Sequence, residues 1–574
     1  MNEQIELIGK LKSQHKVSNQ DLATLLGVST SSIARWMSGS VKISKDKEKI
    51  LASYNQNPKK FVTALRKSES LKGDKTSENP RREIIVNKKT VAIELEPFVV
   101  NAPSDQHSFY EKLIEMQLKS ETAESKLLSM SFVAKVNEQQ TYISKLTGQK
   151  SSAKSWDSNY GSHGWHRYVG RFPPHLVRAL INSFNLKEDA LIVDPFSGSG
   201  TTMVEARLLG YRGIGIEICG LSSLISKTKS KFPTDSKKLI QHVEEFNNFY
   251  TKEYNSFVKK SGSKYTHADV IDSSNGLLDA FPNYEKWFIK EALLGVSITL
   301  KYIDTIKAPW KELFMVALSS SMRSIGNVDV DVVRAEYSKK PKTNVLVDKI
   351  ISQKLVKFVS DINEMCSSHP TIGQSSNIQI VNDSLLKADI EAGSVDAIIT
   401  SPPYGVESIS YLRTHLLSYR SLQKFLKTDP YTDNKDIIGS EYLDASKDHA
   451  VWTASNHSKT FSQFFEGEVA AITDKKFIFR KNMMMKFFSD MVDTANRFSE
   501  WLKPGGKIAF VVGNKKIGDF IIPTHQIIVE VFSTFGLVLE DTICHKLKTN
   551  NSNSQVPWQD RIINEEYVLI FKKK

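Results

Sequence analysis

The sequence predicts an α/β fold: a doubly wound, largely parallel sheet interrupted by two helical insertions, with a small all-α helix-turn-helix unit in front of it. Three observations carry that prediction. From about residue 160, apolar runs of strand length alternate with helical stretches, the texture of βαβ units. One run, Leu191-Ile192-Val193-Asp194, opens into Pro195-Phe196-Ser197-Gly198-Ser199-Gly200-Thr201-Thr202, a glycine-bearing link from a buried strand to a helix. Another, Ala397-Ile398-Ile399-Thr400, stops at Ser401-Pro402-Pro403-Tyr404. Two prolines, each without an N–H and with φ fixed, cannot continue a strand.

Composition sets the outer bounds. A chain of 574 residues with 25% charged and 40% hydrophobic residues has the composition of a soluble globular protein and material for roughly three or four domains. No apolar run reaches the roughly 18 residues of a membrane helix. The start, Met1-Asn2-Glu3-Gln4, lacks the basic and apolar regions of a secretory signal, so a cytoplasmic protein without a membrane partner is expected. Three scattered cysteines, Cys219, Cys366 and Cys544, form neither a zinc pattern nor a disulfide framework, and no metal is expected. The net charge of +13 suits either nucleic-acid binding or simple solubility.

In chain order, residues 1–55 read as a helix-turn-helix. Ser18 caps a first helix with Leu22, Leu25 and Leu26 on its apolar face. Gly27-Val28-Ser29 turns the chain, and a second helix follows with Ile33 and Trp36 inward and Thr30, Ser31, Ser32 and Arg35 outward. The pattern resembles phage-repressor-like domains; a generic helical hairpin is the plain alternative. Residues 56–103 read as a basic linker. Residues 1–90 hold 18 Lys and Arg against 9 Asp and Glu, so much of the positive charge is concentrated there, as phosphate attraction requires. Residues 104–159 read as a helical connector and 160–574 as one α/β domain. Within it, strands are expected at Leu191–Asp194, Gly213–Glu217, Ile378–Val381, Val395–Thr400 and Gly506–Val512, with a closing pair at Leu537–Leu547 and Tyr567–Phe571. The stretch 222–370 reads as a mostly helical and polar insertion, and 424–478 as a second, irregular one.

The chemistry concentrates at strand ends. The Asp194–Thr202 link is a nucleotide-type crevice, since its glycines let the chain turn and let a ligand approach the main chain. It is not a P-loop, because no Gly-Lys-Ser/Thr follows at the required spacing. Glu217 ends the next strand, where a carboxylate can accept ribose hydroxyls. Asp383, after the third strand, can accept an adenine amine. At the Ser401–Tyr404 turn a flat ring could stack on Tyr404 while its exocyclic amine donates to Ser401 and the Pro402 carbonyl; an ordinary proline-rich strand exit is the plain alternative.

Together Asp194–Thr202 and Ser401–Tyr404 resemble the cofactor and catalytic motifs of amino-directed DNA methyltransferases. Gly170-Arg171-Phe172-Pro173-Pro174-His175-Leu176-Val177 is similar to that family's segment closing over the methionine part, and Lys503-Pro504-Gly505-Gly506-Lys507 to its turn before the fifth strand. The resemblance covers about residues 160–574 and implies a Rossmann-like methyltransferase sheet. It implies that Phe172, Asp194, Pro195, Phe196, Gly198, Gly200, Thr201, Glu217 and Asp383 bind S-adenosylmethionine, and that Ser401, Pro402, Pro403 and Tyr404 carry catalysis on a flipped base of double-stranded DNA. Here the cofactor motif precedes the catalytic one, unlike the common order for many members with a Ser-Pro-Pro-Tyr turn. The target-reading region is therefore open: 222–370, with Arg323, Lys339 and Lys340 suited to phosphates, or 424–478, with structural cover for the sheet as the plain reading of each. Ser at the first catalytic position resembles cytosine-N4 enzymes; Asp or Asn there is more typical of adenine-N6 enzymes. Carbon-5 chemistry needs a thiolate nucleophile, and all three cysteines lie outside the catalytic motif. The setting implied is restriction–modification or defence, with a cognate endonuclease as a partner. Two rivals are an RNA or protein amine methyltransferase and a catalytically dead DNA-binding regulator.

Overall fold

A computed structural model describes residues 158–574 except for several short stretches, the longest being 404–410, 427–437, 439–452 and 547–564. Before residue 158 it describes Ile8, Leu22, Ile33 and Met37 and a two-stranded ribbon, Ile85–Val86 with Lys89–Thr90. The chain divides into two compact units, Met1–Ile84 and Ile85–Lys574. In the first, Ile8, Leu22 and Ile33 are helical and buried. Thr30, Ser31, Ser32, Arg35, Lys339, Tyr404 and the 104–147 stretch lie outside the described residues.

The second unit is built on a seven-stranded sheet. Its strands are β1 (Leu191–Asp194), β2 (Arg212–Ile216), β3 (Ile378–Val381), β4 (Val395–Thr400), β5 (Leu502–Gly513), β6 (Leu537–Lys546) and β7 (Glu565–Lys573). They lie in the order β6-β7-β5-β4-β1-β2-β3. All neighbours are parallel except around β7, which runs antiparallel to both β5 and β6. Chain order reverses direction between β1 and β4, so a crevice opens where connections leave these two strands to opposite sides.

Side chains alternate across the sheet as strand geometry demands. Ile192, Ala397, Ile399, Ala509 and Val511 bury against α1 (Pro174–Ser183) and α2 (Thr201–Leu208). On the opposite face Phe510 meets Phe498 of α9 (Lys475–Trp501) and Phe532 of α10 (Thr524–Thr534). The Lys503–Lys507 segment differs from its expected role as a turn before β5. It is an irregularity inside that strand, where the register against β4 jumps from Val395↔Leu502 to Ala397↔Lys507, and Gly505 takes φ 80°.

After α3 (Gly220–Ser230) the first insertion folds as α4 (Ser236–Ser261), α5 (Lys290–Thr305), α6 (Trp310–Ile325) and α7 (Val347–Ser368), with shorter helices between. It is helical as expected, but not mostly polar. Leu239, Val243, Phe246 and Tyr250 form one buried stripe of α4, and α5 and α6 are buried along most of their length. Its core joins α3 and α8 (Tyr411–Leu426), and among the described residues it contains no strand residue. The insertion therefore braces the helix that follows the Ser401-Pro402-Pro403 turn. No helix among the described residues is long and apolar enough to cross a membrane.

Candidate active site

β1 and β4 place their carboxyl ends side by side, with Val193 opposite Ile398. Thr400 Oγ1 donates to Asp194 Oδ1 at 2.6 Å, and the Phe196 N–H donates to the same oxygen at 3.2 Å. One step on, Thr202 Oγ1 donates to the Ile399 carbonyl at 3.3 Å. The loop after β1 and the turn after β4 are thus tied to each other at their roots. Asp194 is buried, and burial raises its carboxyl to about 6, against the opposing effect of the hydrogen bonds from Thr400, Thr202 and the Phe196 amide.

The loop is held from several directions. The Ser197 N–H donates to the Ile216 carbonyl of β2 at 3.0 Å, and the Gly200 N–H to the Ser197 carbonyl at 2.7 Å. Glu217 accepts the Gly198 N–H at 2.8 Å through one carboxylate oxygen and the Cys219 N–H at 2.8 Å through the other. Beneath the loop, the buried Lys229 ammonium donates to the Ser199 carbonyl at 3.0 Å. The two glycines do different work. Gly198 takes φ 51° with room above it, whereas a Cβ on Gly200, at φ 82°, would lie 2.5 Å from Ser226 Oγ and 2.8 Å from Ser226 Cα. Gly200 permits close packing of the loop on α3 rather than approach of a ligand.

The strand ends open into one cleft with about 1170 Å³ of empty space, part of it open to solvent. Phe172, Asp194, Pro195, Phe196, Gly198, Thr201, Glu217 and Asp383 line it together with Ser401 and Pro403. Gly200 and the buried Pro402 do not. Asp383 is exposed, with Oδ1 accepting the Ser384 N–H at 2.7 Å. Arg323 lies at the end of α6, donating to the Asp329 carbonyl at 2.8 Å, and Lys340 is exposed.

Several residues of the site escaped the sequence reading. Tyr168, His415 and Tyr419 line the cleft. Deeper, Glu205 of α2 is fully buried and accepts from Tyr160 Oη, from His163 Nε2 at 2.7 Å and from Arg178 Nε of α1 at 2.6 Å. Burial alone would raise the Glu205 carboxyl; Arg178, with His163 and Tyr160, outweighs it and holds the group near 2. Burial pushes His163 down to about 4, so its imidazole is neutral and donates to the carboxylate. This cluster locks α1, which follows Phe172, to the helix that leaves the glycine loop. A signal was present: Arg178 and Glu205 are opposite charges, each between apolar neighbours, Leu176-Val177 and Ala179-Leu180 for the first and Met203-Val204 and Ala206 for the second. Nothing comparable marks Tyr168 or His415.

A family model described as DNA methylase matches residues 30–219, a span that ends just past Glu217 and contains the whole Asp194–Thr202 loop. The Type II methyltransferase M.BsoBI of Geobacillus stearothermophilus is 24% identical over 482 residues, covering 78% of this chain and 91% of the relative. The Type II methyltransferase M.MvaI of Kocuria varians is 24% identical over 404 residues, covering 66% and 82%. These similarities support an amino-directed DNA methyltransferase. A shorter similarity, 39% over 51 residues and 9% of this chain, is to a tRNA (guanine(10)-N2)-dimethyltransferase of Methanothermobacter thermautotrophicus.

Proposed function

We propose that the protein transfers a methyl group from S-adenosylmethionine to the N4 amine of cytosine at a specific site in duplex DNA, as the modification arm of a restriction–modification or defence system in the cytoplasm. The observation that carries this reading is the Thr400–Asp194 hydrogen bond, which ties the glycine loop and the Ser401-Pro402-Pro403 turn to neighbouring strand ends in one cleft. The residues present fit the cofactor. Glu217, pinned by two backbone N–H groups, offers a fixed carboxylate to a pair of hydroxyls, and Asp383 stands on the same wall for an amine.

Bound S-adenosylmethionine supplies an electrophilic methyl group on a sulfonium. This chain's residues supply position. Ser401 and the Pro402 carbonyl hold the target amine so that its lone pair faces the methyl group, and Tyr404 stacks on the base. Ser401 is neutral, so alignment rather than a carboxylate activates the amine, and the rate gain is one of orientation. Residues 1–55 form the DNA-binding helix-turn-helix through Thr30, Ser31, Ser32 and Arg35, followed by the linker 56–103 and the connector 104–159. Arg323, Lys339 and Lys340 meet phosphates, and a cognate endonuclease is the expected genetic companion. Duplex DNA, tRNA and protein offered with labelled cofactor test the polymer: label in duplex DNA is expected, and label in tRNA alone would overturn the reading. Methylation-aware sequencing of host DNA then reads the base, where N6-methyladenine instead of N4-methylcytosine would correct the target.

A further inference from the structure

His415 is a polar group of the cleft that none of the roles above uses. It sits on α8, just after the catalytic turn, and lines the cleft with Tyr168. The two rings stack, with centroids 4.8 Å apart and planes 19° from parallel. Tyr168 in turn shares a hydrogen bond with Ser222 Oγ at 3.0 Å, and its Cε1 lies 3.6 Å from where a Cβ on Gly198 would stand. The His415 ring is therefore one stacked ring away from the glycine loop. Burial first, and then the cations Arg323 and Arg167, the charges bearing on it among the described residues, push the His415 imidazole down to about 4 and keep it neutral. His166, its other aromatic neighbour at 5.8 Å, is neutral as well, held at about 3 mainly by burial. Among the described residues, His415 Nε2 is buried without a hydrogen-bond partner.

A neutral imidazole has one N–H to donate, and a positive surrounding field favours an anionic acceptor. Of the groups on S-adenosylmethionine, only the methionine carboxylate is anionic. We infer that His415, steadied by its stack on Tyr168, is a cofactor-binding residue that donates to the methionine carboxylate, so that the helix following the catalytic turn grips the amino-acid end of the cofactor. The inference rests on the cofactor reading given above.

The test is a ligand truncation. S-adenosylhomocysteine keeps the amino-acid end; 5′-methylthioadenosine keeps the adenosine and sulfur but lacks it. In the full-length protein, His415→Ala should weaken S-adenosylhomocysteine roughly tenfold or more, the loss of a hydrogen bond to a charged group, and leave methylthioadenosine unchanged. His415→Gln, which keeps a donor, should recover part of the loss. An unchanged affinity for S-adenosylhomocysteine would overturn the assignment. So would equal weakening of both ligands, which marks His415 as a structural support, or a loss confined to DNA affinity, which makes the anion a DNA phosphate. Failure of the unaltered protein to bind S-adenosylhomocysteine at all would instead sink the cofactor reading itself.

Discussion

The two sides of the cleft are held in different ways. The loop after β1 is fixed by hydrogen bonds: β2 holds Ser197, Glu217 holds Gly198, and Lys229 holds the Ser199 carbonyl. The turn after β4 is fixed covalently, by Pro402 and Pro403, whose locked φ removes freedom without consuming an acceptor. Each device suits its task. A loop that must receive a cofactor gains from a carboxylate and amides already aligned. A turn that must receive an amine gains from stiff carbonyls with no N–H of their own competing for them. The lesson is that preorganisation on one side lies in the surrounding structure and on the other in the chain, so remote substitutions should disturb the first and spare the second.

The largest expected effect is on the cofactor side, from a residue outside the cleft. Glu205→Gln keeps the shape but leaves the buried Arg178 guanidinium without its counter-charge. Breaking a buried pair in this way costs about 3–5 kcal/mol. Thermal or denaturant unfolding should show that loss, and binding of S-adenosylhomocysteine should weaken with it because α1 and α2 lose their common anchor. If stability holds and binding holds, the cofactor side is not organised from beneath as described.

On the catalytic side the corresponding change should be silent except in the chemistry. Ser401→Ala removes one positioning group from the turn and should slow methyl transfer by at least about 100-fold, the scale of a misplaced reacting group. Stability and affinity for S-adenosylhomocysteine should stay within about twofold of the unaltered protein, since no loop hydrogen bond described above depends on that side chain. Loss of cofactor affinity in this variant would erase the contrast between the two sides.

Much of this contrast could be read from residues alone, and the part that could not has a physical cause. Leu191–Asp194, Ile378–Val381 and Val395–Thr400 are mostly apolar runs that end in or before breakers or acids, and their strands match residue for residue. The insertion looked polar because α4 spreads its buried residues, Leu239, Val243, Phe246 and Tyr250, among Lys, Gln, Glu and Asn that face water. A 3.6-residue stripe dilutes in composition but not in three dimensions. Lys503–Gly506 looked like a turn because its glycines signal one locally, and the ladders do skip it: pairing with β4 jumps from Leu502 to Lys507, and pairing with β7 reaches only to Lys507, so the segment is a bulge within the strand. The Tyr168–His415 stack joins residues far apart in the chain with no shared motif, so its site role depended on topology.

The finest test lies at the joint where the two sides meet. Asp194 is buried and its carboxyl is raised to about 6, against about 3.9 in the unfolded chain. A group raised on folding favours the folded state below the unfolded value and becomes a burden as pH climbs through the folded one. Asp194→Asn keeps an oxygen to accept from Thr400 and from the Phe196 amide but never ionises. The stability of the variant minus that of the unaltered protein, both without cofactor, should therefore be smallest below about pH 4. It should rise in favour of Asn across about pH 4–6 and level off near 3 kcal/mol above that. A flat difference would mean that Asp194 is solvated. A difference of opposite sign would mean that Thr400, Thr202 and the Phe196 amide over-compensate its burial.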